Sequence, residues 1–518
     1  MKNLGYSRVA LLLALSSMAF METVALSAPA SSKRLKKRVA IIGTGIGGLS
    51  VAHALVNSPS LQEEYASLDF QVSMFEARPK LDTKAGAGVQ LNGGLVALGR
   101  INKKVQRAVI DAGLPLSSIQ SRSKPWGSNA KKPFEELLQI DLRKIGEMSN
   151  HLIQDDRELL WSAIMRGCLQ ETLWNTLPRA TQRRVKFNKV LTNMHVQAED
   201  GSVICEFSDG TTEGPFDVVV GCDGVKSACK EYIETGKISK DPMNRQGRAA
   251  PLYSGIRIQY AVDESWFPTT TTTKSEGALT QYFGDGANVL VGAYGNGPGR
   301  PNSKIAFYVS LDKDYSGPFR KKQAAGKSAK ADENVNWREE ERRYRDLAQR
   351  SITSGMQEYG IPSGEVDPIV KAADRFFEVG VYFHNPFSLA GWSKKVAGKD
   401  SAVVALCGDA AHTIPPFLGQ GSNQAIQDAY CLARKLYEYN ANVVQGVEGP
   451  SLDKLLKDYE RTRWLHNFII LMNTCFLGYL ETGGENGFYA KFRDMFYKTT
   501  GLIGIAQRVL LTAADPVM

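Results

Sequence analysis

Cysteine pairs are missing from this sequence. Its 518 residues include seven cysteines, and no two of them form a CxxC pair. A disulfide scaffold needs an even number of cysteines in a much shorter chain, and a zinc site needs paired spacings. We therefore expect reduced cysteines and no bound metal. The sequence also lacks any grouping of side chains that would supply a catalytic nucleophile.

Excess positive charge is missing as well, once the first forty residues are set aside. The chain has a formal charge of +9, but residues 1–40 hold seven basic groups and one acid, a net +6. The other 478 residues carry only +3, so we expect no nucleic acid partner. A hydrophobic content of 43% and a charged content of 23% are typical of a folded globular protein.

The N-terminal apolar run is too short to cross a membrane. Residues 9–20 give about twelve mostly apolar positions, against the roughly 20 that a membrane-spanning helix needs. Lys2 and Arg8 precede the run and small residues follow it, which is the layout of a secretory signal peptide. A disordered or anchoring tail is the alternative.

Residues 26–38 are Ser-rich, basic and free of acids, as in a transit peptide. A signal sequence followed by such a stretch resembles the bipartite presequences that direct proteins into the plastids of algae with secondary plastids. Leu26 stands where those presequences usually have Phe. We expect a targeting presequence over residues 1–37, with delivery to a plastid or otherwise into the secretory pathway.

The order of the expected elements indicates a fold of mixed helices and strands. A strand over 38–42, a glycine-rich turn, a helix over 46–55 and a strand over 68–75 form a βαβ unit. The later expected elements are a helix over 159–173 that contains Arg166, strands over 185–190, 195–198, 203–207 and 216–221, an antiparallel sheet over 253–311, a polar loop over 319–336, a helix over 339–359, a strand over 403–406, a helix over 423–439, and helices from 452 onward that include the apolar stretch 468–480.

A glycine triplet in the βαβ unit is the first motif that carries chemistry. Gly43 makes the tight turn, Gly45 lets the backbone approach a pyrophosphate, and Gly48 lets helix and strand pack closely. The helix N-terminus then presents free N–H groups and a positive dipole end. Glu76, which lies 28 residues after Gly48, ends the next strand, where a carboxylate can accept both hydroxyls of an adenosine ribose. A simple strand-to-helix turn is the alternative.

Two further motifs each follow a predicted strand. Asp223 and Gly224 form a turn, which by itself indicates only the end of a strand. Asp409 comes just after a buried strand, at the end where α/β sheets bind ligands.

The segment after Asp409 combines a stiff loop with a helix start. Pro415 and Pro416 restrict the loop, while Gly419 and Gly421 permit close backbone approach. The helix that begins near Ser422 directs its positive end at this place, which stabilises negative charge on a bound ring system.

The three motifs together resemble those of one family, the FAD-dependent monooxygenases of the single-component aromatic hydroxylase type. Its dinucleotide, DG and GD fingerprints occur here in the same order, and the strongest match is GDAAHTIPPFLGQGSNQAIQDA from Gly408. The resemblance implies an α/β fold, in which a Rossmann-like FAD-binding domain has a parallel sheet that is discontinuous in sequence. It also implies an inserted antiparallel-sheet substrate domain and a helical C-terminal segment. The expected segments are the presequence (1–37), the first part of the FAD-binding domain (38–240), the substrate domain (241–375), the second FAD-binding part (376–440) and C-terminal helices (441–518).

The resemblance also implies which residues hold FAD. The triplet would hold the pyrophosphate, Glu76 would bind the adenine ribose, and Asp409 would bind the ribityl chain. Arg166 would contact the cofactor. Asp223 would contribute to contacts with both FAD and NAD(P)H. The expected cofactor-binding residues are Gly43, Gly45, Ile46, Gly47, Gly48, Glu76, Ala77, Arg78, Arg166, Asp223, Gly224, Gly408, Asp409, Pro416, Gly419, Gln420, Gly421, Ser422 and Asn423.

No catalytic side chain is expected, because the flavin carries the chemistry. Candidates for the substrate pocket are Tyr253, Arg257 and Tyr282 from the antiparallel sheet, His384 from the segment before the GD strand, and Pro415 from the loop. For His384 the alternative is a hydrogen bond within the sheet.

The family implies that NAD(P)H reduces FAD, that O₂ adds at flavin C4a, and that the hydroperoxide delivers one oxygen atom to a hydrophobic or aromatic small molecule. A plastid location would favour an isoprenoid such as a carotenoid, and hydroxylation and epoxidation both stay open. Two alternatives are a flavin-dependent reductase or dehydrogenase of an isoprenoid and a flavin-binding protein without turnover. The C-terminal stretch 468–480 is expected in the core, with peripheral membrane contact as the alternative.

Overall fold

A computed structural model describes the chain over residues 37–65, 69–84, 86–123, 134–154, 156–197, 199–241, 244–266, 277–312, 337–396, 402–483 and 487–518. Apart from Lys37, the expected presequence (1–37) and the expected polar loop (319–336) lie outside these residues. The described residues from Lys37 onward form one compact unit.

Nineteen strands occur within the described residues. They are β1 (Lys37–Ile42), β2 (Phe70–Phe75), β3 (Gly88–Leu91), β4 (Leu114–Pro115), β5 (Ser118–Ser123), β6 (Glu135–Asp141), β7 (Ser162–Met165), β8 (Val185–Lys186), β9 (Leu191–Val196), β10 (Val203–Phe207), β11 (Thr212–Phe216), β12 (Val218–Gly221), β13 (Leu252–Trp266), β14 (Ala278–Phe283), β15 (Ala287–Tyr294), β16 (Asn302–Leu311), β17 (Arg375–Phe383), β18 (Ser393–Lys395) and β19 (Val403–Leu406).

Fifteen α-helices and two 3₁₀ turns occur in the same part of the chain. The helices are α1 (Ile46–Val56), α2 (Pro59–Glu64), α3 (Gly93–Ile101), α4 (Lys103–Ala112), α5 (Leu142–Glu147), α6 (Arg166–Thr176), α7 (Arg179–Gln182), α8 (Ala228–Thr235), α9 (Trp337–Glu358), α10 (Ser363–Ala372), α11 (Asp409–His412), α12 (Gly421–Gln445), α13 (Leu452–Thr482), α14 (Gly487–Leu502) and α15 (Ile505–Ala514). The 3₁₀ turns are Gly247–Ala249 and Pro416–Leu418.

The βαβ unit lies at the centre of a six-stranded sheet of order β18-β19-β12-β1-β2-β8. β1 pairs in parallel with β2 and β12, and β19 pairs in parallel with β12. These strands come from distant stretches of sequence, so the discontinuous parallel sheet is confirmed. Because the carboxyl ends of parallel strands share one edge, the turns after β1, β12 and β19 meet there.

The second large sheet has seven strands in the order β17-β13-β16-β15-β14-β5-β6. Its centre, β13 to β16, is the antiparallel sheet expected over 253–311. β5 and β6 come from before that segment, and β17 comes from after it. The expected boundaries at 241 and 376 therefore cut through one sheet. The parallel pairing of β14 with β5 joins distant segments, which alternation within a single strand does not reveal.

Helices α9 and α10 cover one face of the seven-stranded sheet. Ile352 and Ile369 from these helices pack with Tyr282 and Tyr308 from the strands in a buried cluster. The opposite face of the sheet is turned toward the six-stranded sheet and the C-terminal helices, where the cavities described below lie.

The expected helix over 159–173 is wrong in its first half. Residues Ser162–Met165 form β7, all of whose side chains are buried, and α6 begins only at Arg166. A short apolar run has no period that distinguishes a buried strand from a helix. Arg166 therefore stands at the first turn of a helix instead of inside one.

The long helix α13 divides its apolar residues between core and surface. Ile470 and Leu471 are buried, whereas Leu465, Met472 and Phe476 are exposed. Among the described helices none is long and apolar enough to span a bilayer. Peripheral membrane contact through this exposed face stays a prediction.

Candidate cofactor and substrate site

The three glycines of the triplet differ in what an added Cβ atom would contact. A Cβ at Gly43, whose φ is +101°, would lie 2.4 Å from the Cys222 carbonyl oxygen. A Cβ at Gly48 would lie 2.0 Å from the Gly43 carbonyl oxygen, whereas a Cβ at Gly45 would meet nothing within 4 Å. Gly43 and Gly48 thus permit the turn and the packing, and Gly45 leaves open space beside the backbone. No described side chain caps α1, so its first N–H groups are available to an anion.

Glu76 is held at the edge of the same space. Its Oε2 accepts hydrogen bonds from Thr44 N at 2.9 Å and Thr44 Oγ1 at 2.6 Å, and its Oε1 accepts one from Arg78 N at 3.0 Å. A carboxylate offers about four acceptor positions. The remaining position can accept a hydrogen bond from a ribose hydroxyl.

A cavity of about 550 Å³ joins these residues to the two later motifs, and we call it the dinucleotide cavity. Six basic and four acidic side chains line it, a positive excess that suits a diphosphate ligand. The predicted cofactor residues along it are Gly43, Gly45, Glu76, Ala77, Arg78, Arg166, Asp223, Gly224 and Asp409.

Asp223 anchors the start of α8 at the wall of this cavity. Its Oδ2 accepts hydrogen bonds from Ala228 N at 2.7 Å and Cys229 N at 3.2 Å, and its Oδ1 accepts one from Ser227 Oγ at 2.5 Å. Gly224, with a φ of +77°, makes the turn that precedes the helix. The DG motif therefore holds its own segment in place, and its contacts with FAD and NAD(P)H stay a prediction.

A second cavity, of about 290 Å³, lies between the GD loop and the seven-stranded sheet, and we call it the sheet cavity. Its loop side contains six predicted cofactor residues, and its sheet side is mostly apolar. The loop side comprises Arg166, Asp409, Pro416, Gly419, Gly421 and Ser422. The sheet side includes Ile258, Tyr260, Leu279, Leu290, Phe307 and Val309.

Arg166 and Asp409 line both cavities and therefore stand where the two meet. Burial lowers the pKa of Arg166, and the charge of Asp409 opposes that effect; an arginine nevertheless stays protonated. The Asp409 side chain is accessible from the cavities, yet it lies so deep that burial raises its pKa, against the effects of His412 and Arg166. A Cβ at Gly421 would lie 3.9 Å from Asp409 Oδ1, which places this carboxyl beside the start of α12.

The start of α12 is open toward the sheet cavity. No described side chain caps this helix, and Gly421 and Ser422 of its first turn line the cavity. A helix N-terminus stabilises negative charge. A flat apolar wall opposite such a helix end suits a planar ring that carries negative charge on one edge.

Six predicted cofactor residues line neither cavity, namely Ile46, Gly47, Gly48, Gly408, Gln420 and Asn423. Asn423 is fully buried. Its Oδ1 accepts hydrogen bonds from Asn92 N at 2.8 Å and Gly94 N at 3.0 Å, and its Nδ2 donates to Gln90 O at 3.0 Å. Asn423 thus braces the GD loop against β3 and α3.

Two substrate candidates, Arg257 and Tyr282, lie on the face of the sheet that is turned away from the sheet cavity. Ile258 and Gln281 line the sheet cavity, whereas Arg257 and Tyr282, one position away on β13 and β14, do not. Arg257 pairs with Asp312 and Glu378, and Tyr282 donates a hydrogen bond to Glu365. Successive side chains of a strand point to opposite faces, so an error of one position reverses the assignment.

The other three candidates also lie away from the sheet cavity. Tyr253 donates its hydroxyl hydrogen bond to Asp312 O at 2.7 Å. His384 Nε2 lies 2.9 Å from Val225 O, and burial lowers the pKa of His384 to about 3. The hydrogen bond of His384 thus goes to the segment after the DG motif and not to a strand of the sheet, which was the expected alternative. Pro415 is buried and accepts a hydrogen bond from Thr474 Oγ1 at 2.9 Å, while Pro416 faces the cavity.

Four polar residues of the sheet cavity were missed by the sequence analysis: Gln90, Gln281, Asn288 and Glu481. Gln281 and Asn288 lie on the cavity face of β14 and β15, which the strand alternation would have indicated once the face was known. Glu481 lies in the last turn of α13, and no motif surrounds it. No described group of three or more His, Cys, Asp or Glu side chains could hold a metal ion.

Comparison with known proteins supports the same site. A family model described as an FAD binding domain matches residues 395–471, which contain the GD loop. Salicylate hydroxylase of Pseudomonas putida is 24% identical over 442 residues, covering 84% of this chain and 83% of that protein. The 3-amino-4-hydroxybenzoate 2-monooxygenase of Streptomyces cremeus is 26% identical over 402 residues, or 76% and 77% of the two chains.

A solved structure shows the same fold. Klebsiella pneumoniae HpxO, crystallised with FAD and uric acid, superposes with a TM-score of 0.64 at 18% identity, covering 93% of this chain and 98% of that one. The similarity therefore spans nearly the whole of each chain.

Proposed function

We propose that the chain is an FAD-dependent monooxygenase, and that it oxygenates an aromatic small molecule with NAD(P)H as the electron donor. The observation that carries the proposal is the sheet cavity, where the apolar face of β13 to β16 stands opposite the uncapped start of α12. The relatives named above carry the names of aromatic hydroxylases and monooxygenases, which supports an aromatic substrate.

The residues present fit FAD. The open space at Gly45 and the first turn of α1 suit the pyrophosphate, and the free acceptor position of Glu76 suits the adenosine ribose. Asp409 lines both cavities, which is where the ribityl chain would pass from one to the other. The isoalloxazine ring would then lie in the sheet cavity beside Gly419 and Gly421.

When bound, FAD supplies electron transfer and the activation of O₂. The protein supplies position and electrostatics. The start of α12 and the guanidinium of Arg166 stabilise negative charge along one edge of the sheet cavity. The opposite wall contains Tyr260 and Phe307. It packs against an apolar substrate on the side away from the loop and excludes water.

An isoprenoid substrate is a second candidate, and only the plastid-type presequence favours it. Such a substrate would be epoxidised at a double bond, whereas an aromatic ring would be hydroxylated. Both reactions place one oxygen atom of O₂ in the product.

The experiment that tests the function starts with the purified chain. Its visible spectrum and a heat-released extract reveal whether FAD is bound. NADH or NADPH and O₂ consumption are then followed with salicylate, phenols and isoprenoids, and products formed under ¹⁸O₂ are analysed by mass spectrometry. The expected result is bound FAD, consumption of both reactants in equal amounts, and one ¹⁸O atom in the product.

The same experiment separates the alternatives. Absence of FAD would contradict the assignment altogether. Reduction of FAD and of an isoprenoid without ¹⁸O incorporation would identify a reductase. An Asp409→Asn variant, matched with Asp285→Asn on a surface turn, should lose FAD during gel filtration while its control keeps it.

A further inference from the structure

A third cavity, of about 270 Å³, lies next to the sheet cavity, and we call it the helix cavity. β5 and β6 form one wall, and α13, α14 and α15 form the others. None of the predicted cofactor residues lines it. Most of its lining side chains are apolar, among them Ile119, Leu138, Leu477, Phe496 and Val509.

The helix cavity reaches the protein surface. Phe476 and Ile505 line it, and these two side chains are also 48% and 44% exposed. Large apolar side chains that border a cavity and remain accessible provide an apolar route from outside. An apolar molecule can therefore enter between α13 and α15.

The helix cavity and the sheet cavity are neighbours with a shared boundary. Gln90, Gln281, Phe417 and Glu481 line both. Phe417 packs against α13 at Gly478, where a Cβ would lie 2.3 Å from Phe417 Cε2. Phe417 therefore stands at the boundary of the two cavities.

A small polar group stands at this junction, with the buried cation of Arg493 close enough to act on it. Glu481 is 4% exposed; its Oε2 accepts a hydrogen bond from Gln281 Nε2 at 2.9 Å, and its Oε1 accepts one from the Tyr497 hydroxyl. Gln281 Nε2 also donates to Asn288 Oδ1 at 3.2 Å. Asn288 is 1% exposed, and its Nδ2 has no partner among the described residues.

Such a group needs a ligand to complete it. A buried donor without an acceptor is costly, and a buried carboxyl is stabilised by each further hydrogen bond that it accepts. A hydroxyl group can accept from Asn288 and donate to Glu481 at once. The junction therefore suits a hydroxyl or amino group that is attached to a ring in the sheet cavity.

We propose that the substrate is an aromatic ring with a linear apolar substituent. The ring occupies the sheet cavity, the substituent occupies the helix cavity, and Glu481 accepts a hydrogen bond from a hydroxyl or amino group next to the substituent. This inference rests on the proposed function, because it names the substrate class of the same site.

The test of the helix cavity uses the FAD-bound protein and a series of ortho-alkylphenols from methyl to hexyl. Binding is followed as a change in the flavin absorbance spectrum. We expect the Kd to fall by up to about fourfold for each methylene added. The substitutions Ala506→Leu and Val509→Phe fill the cavity. They should reduce the Kd of ortho-methylphenol divided by the Kd of ortho-hexylphenol by at least about tenfold. Leu502→Phe, an addition of volume at a position that is 88% exposed, should leave that ratio as in the wild type.

The results distinguish two failures. If the protein binds FAD and the phenols but the Kd does not depend on chain length, the helix cavity is not part of the site. The same conclusion follows if the filled variants keep the wild-type dependence, since chain length would then act by nonspecific partition. If the protein holds no FAD, the proposed function itself is wrong.

The role of Glu481 is tested by pairing a substitution with a change of ligand. At about pH 8, where Glu481 is mostly ionised, Glu481→Gln should raise the Kd of ortho-hexylphenol by about tenfold, because a charge-assisted hydrogen bond is replaced by a neutral one. It should have little effect on the corresponding methyl ether, which has no hydrogen to donate. A merely structural role of Glu481 would weaken both ligands equally, and that outcome would overturn the contact.

Discussion

Arg463 Nε lies 2.7 Å from Asp428 Oδ1, and both side chains are fully buried. Asp428 Oδ2 accepts hydrogen bonds from His412 Nε2 at 2.5 Å and Gly408 N at 3.0 Å. Burial alone would raise the pKa of Asp428, but His412 and Arg463 outweigh it and hold that pKa at about 2. One carboxylate thus ties the GD loop on one side to α13 on the other.

Removal of Arg463 should therefore destabilise the protein strongly. Arg463→Met leaves the Asp428 carboxylate buried without its cation, and the loss of a single partner of this kind costs roughly 3–5 kcal/mol. The free energy of unfolding, measured with urea, checks the value. Arg461→Met, on the exposed side of the same helix, is the matched control and should change that free energy by less than about 0.5 kcal/mol.

Gly45→Ala should separate cofactor binding from folding. Its Cβ would meet no protein atom within 4 Å, so the apoprotein should keep its stability, while the methyl group occupies the space of the pyrophosphate and lowers FAD affinity. Gly48→Ala should instead lower the stability of the apoprotein, because its Cβ would lie 2.0 Å from Gly43 O. Flavin titration and urea unfolding of both variants measure the two effects. Equal loss of stability in both would contradict the division of roles.

Neighbouring residues of β14 should have opposite importance for the substrate. Gln281→Leu removes the donor that serves Glu481 and Asn288, and we expect KM to rise at least about tenfold as two buried acceptors lose their partner. Tyr282→Phe alters only the other face of the sheet and should leave KM within about twofold. Steady-state kinetics with a single aromatic substrate measure KM for both variants. A larger rise of KM in Tyr282→Phe than in Gln281→Leu would contradict the placement of the substrate on the Gln281 face of the sheet.

Glu481 should make stability fall as pH rises. Burial raises its pKa to about 7, although Tyr497, Gln281 and Arg493, the groups that face it from α14 and β14, oppose the rise. In the unfolded chain a Glu has a pKa of about 4.3, so between these values the folded state binds the extra proton and loses stability with increasing pH. The free energy of unfolding of Glu481→Gln minus that of the wild type should increase by on the order of 3 kcal/mol from about pH 4 to pH 8. Urea unfolding across that range tests it, and a constant difference would contradict a raised pKa.

Residues 1–37 should direct a fluorescent protein to a plastid when fused to it and expressed in an alga with a secondary plastid. The basis is the apolar run 9–20 followed by a basic stretch without acids. Removal of 9–20 should leave the fusion in the cytosol, and removal of 26–37 should leave it in the secretory pathway. Fluorescence in the secretory pathway with the whole segment present would favour a plain signal peptide.

Local patterns predicted the parts of the site that depend on neighbouring residues. The triplet from Gly43 to Gly48 begins after β1 and ends in the first turn of α1 as expected, and Asp409 comes three residues after the end of β19. Turn, strand end and helix start are set within a few residues of one another, so the sequence displays them as a unit. Pattern alone failed at 162–165, where a buried strand and a helix give the same short apolar run.

The sequence by itself determined the order of the motifs and the parallel sheet that gathers them, because both depend on local conformation and on the shared edge of parallel strands. FAD as the cofactor came from the resemblance of those motifs to one family. Only the tertiary structure decided which face of the antiparallel sheet lines the sheet cavity, since a shift of one residue reverses every side chain. It also decided that Glu481 of a distant helix stands beside Gln281. Such a contact depends on how α13 packs against β14, and no pattern within either segment records it.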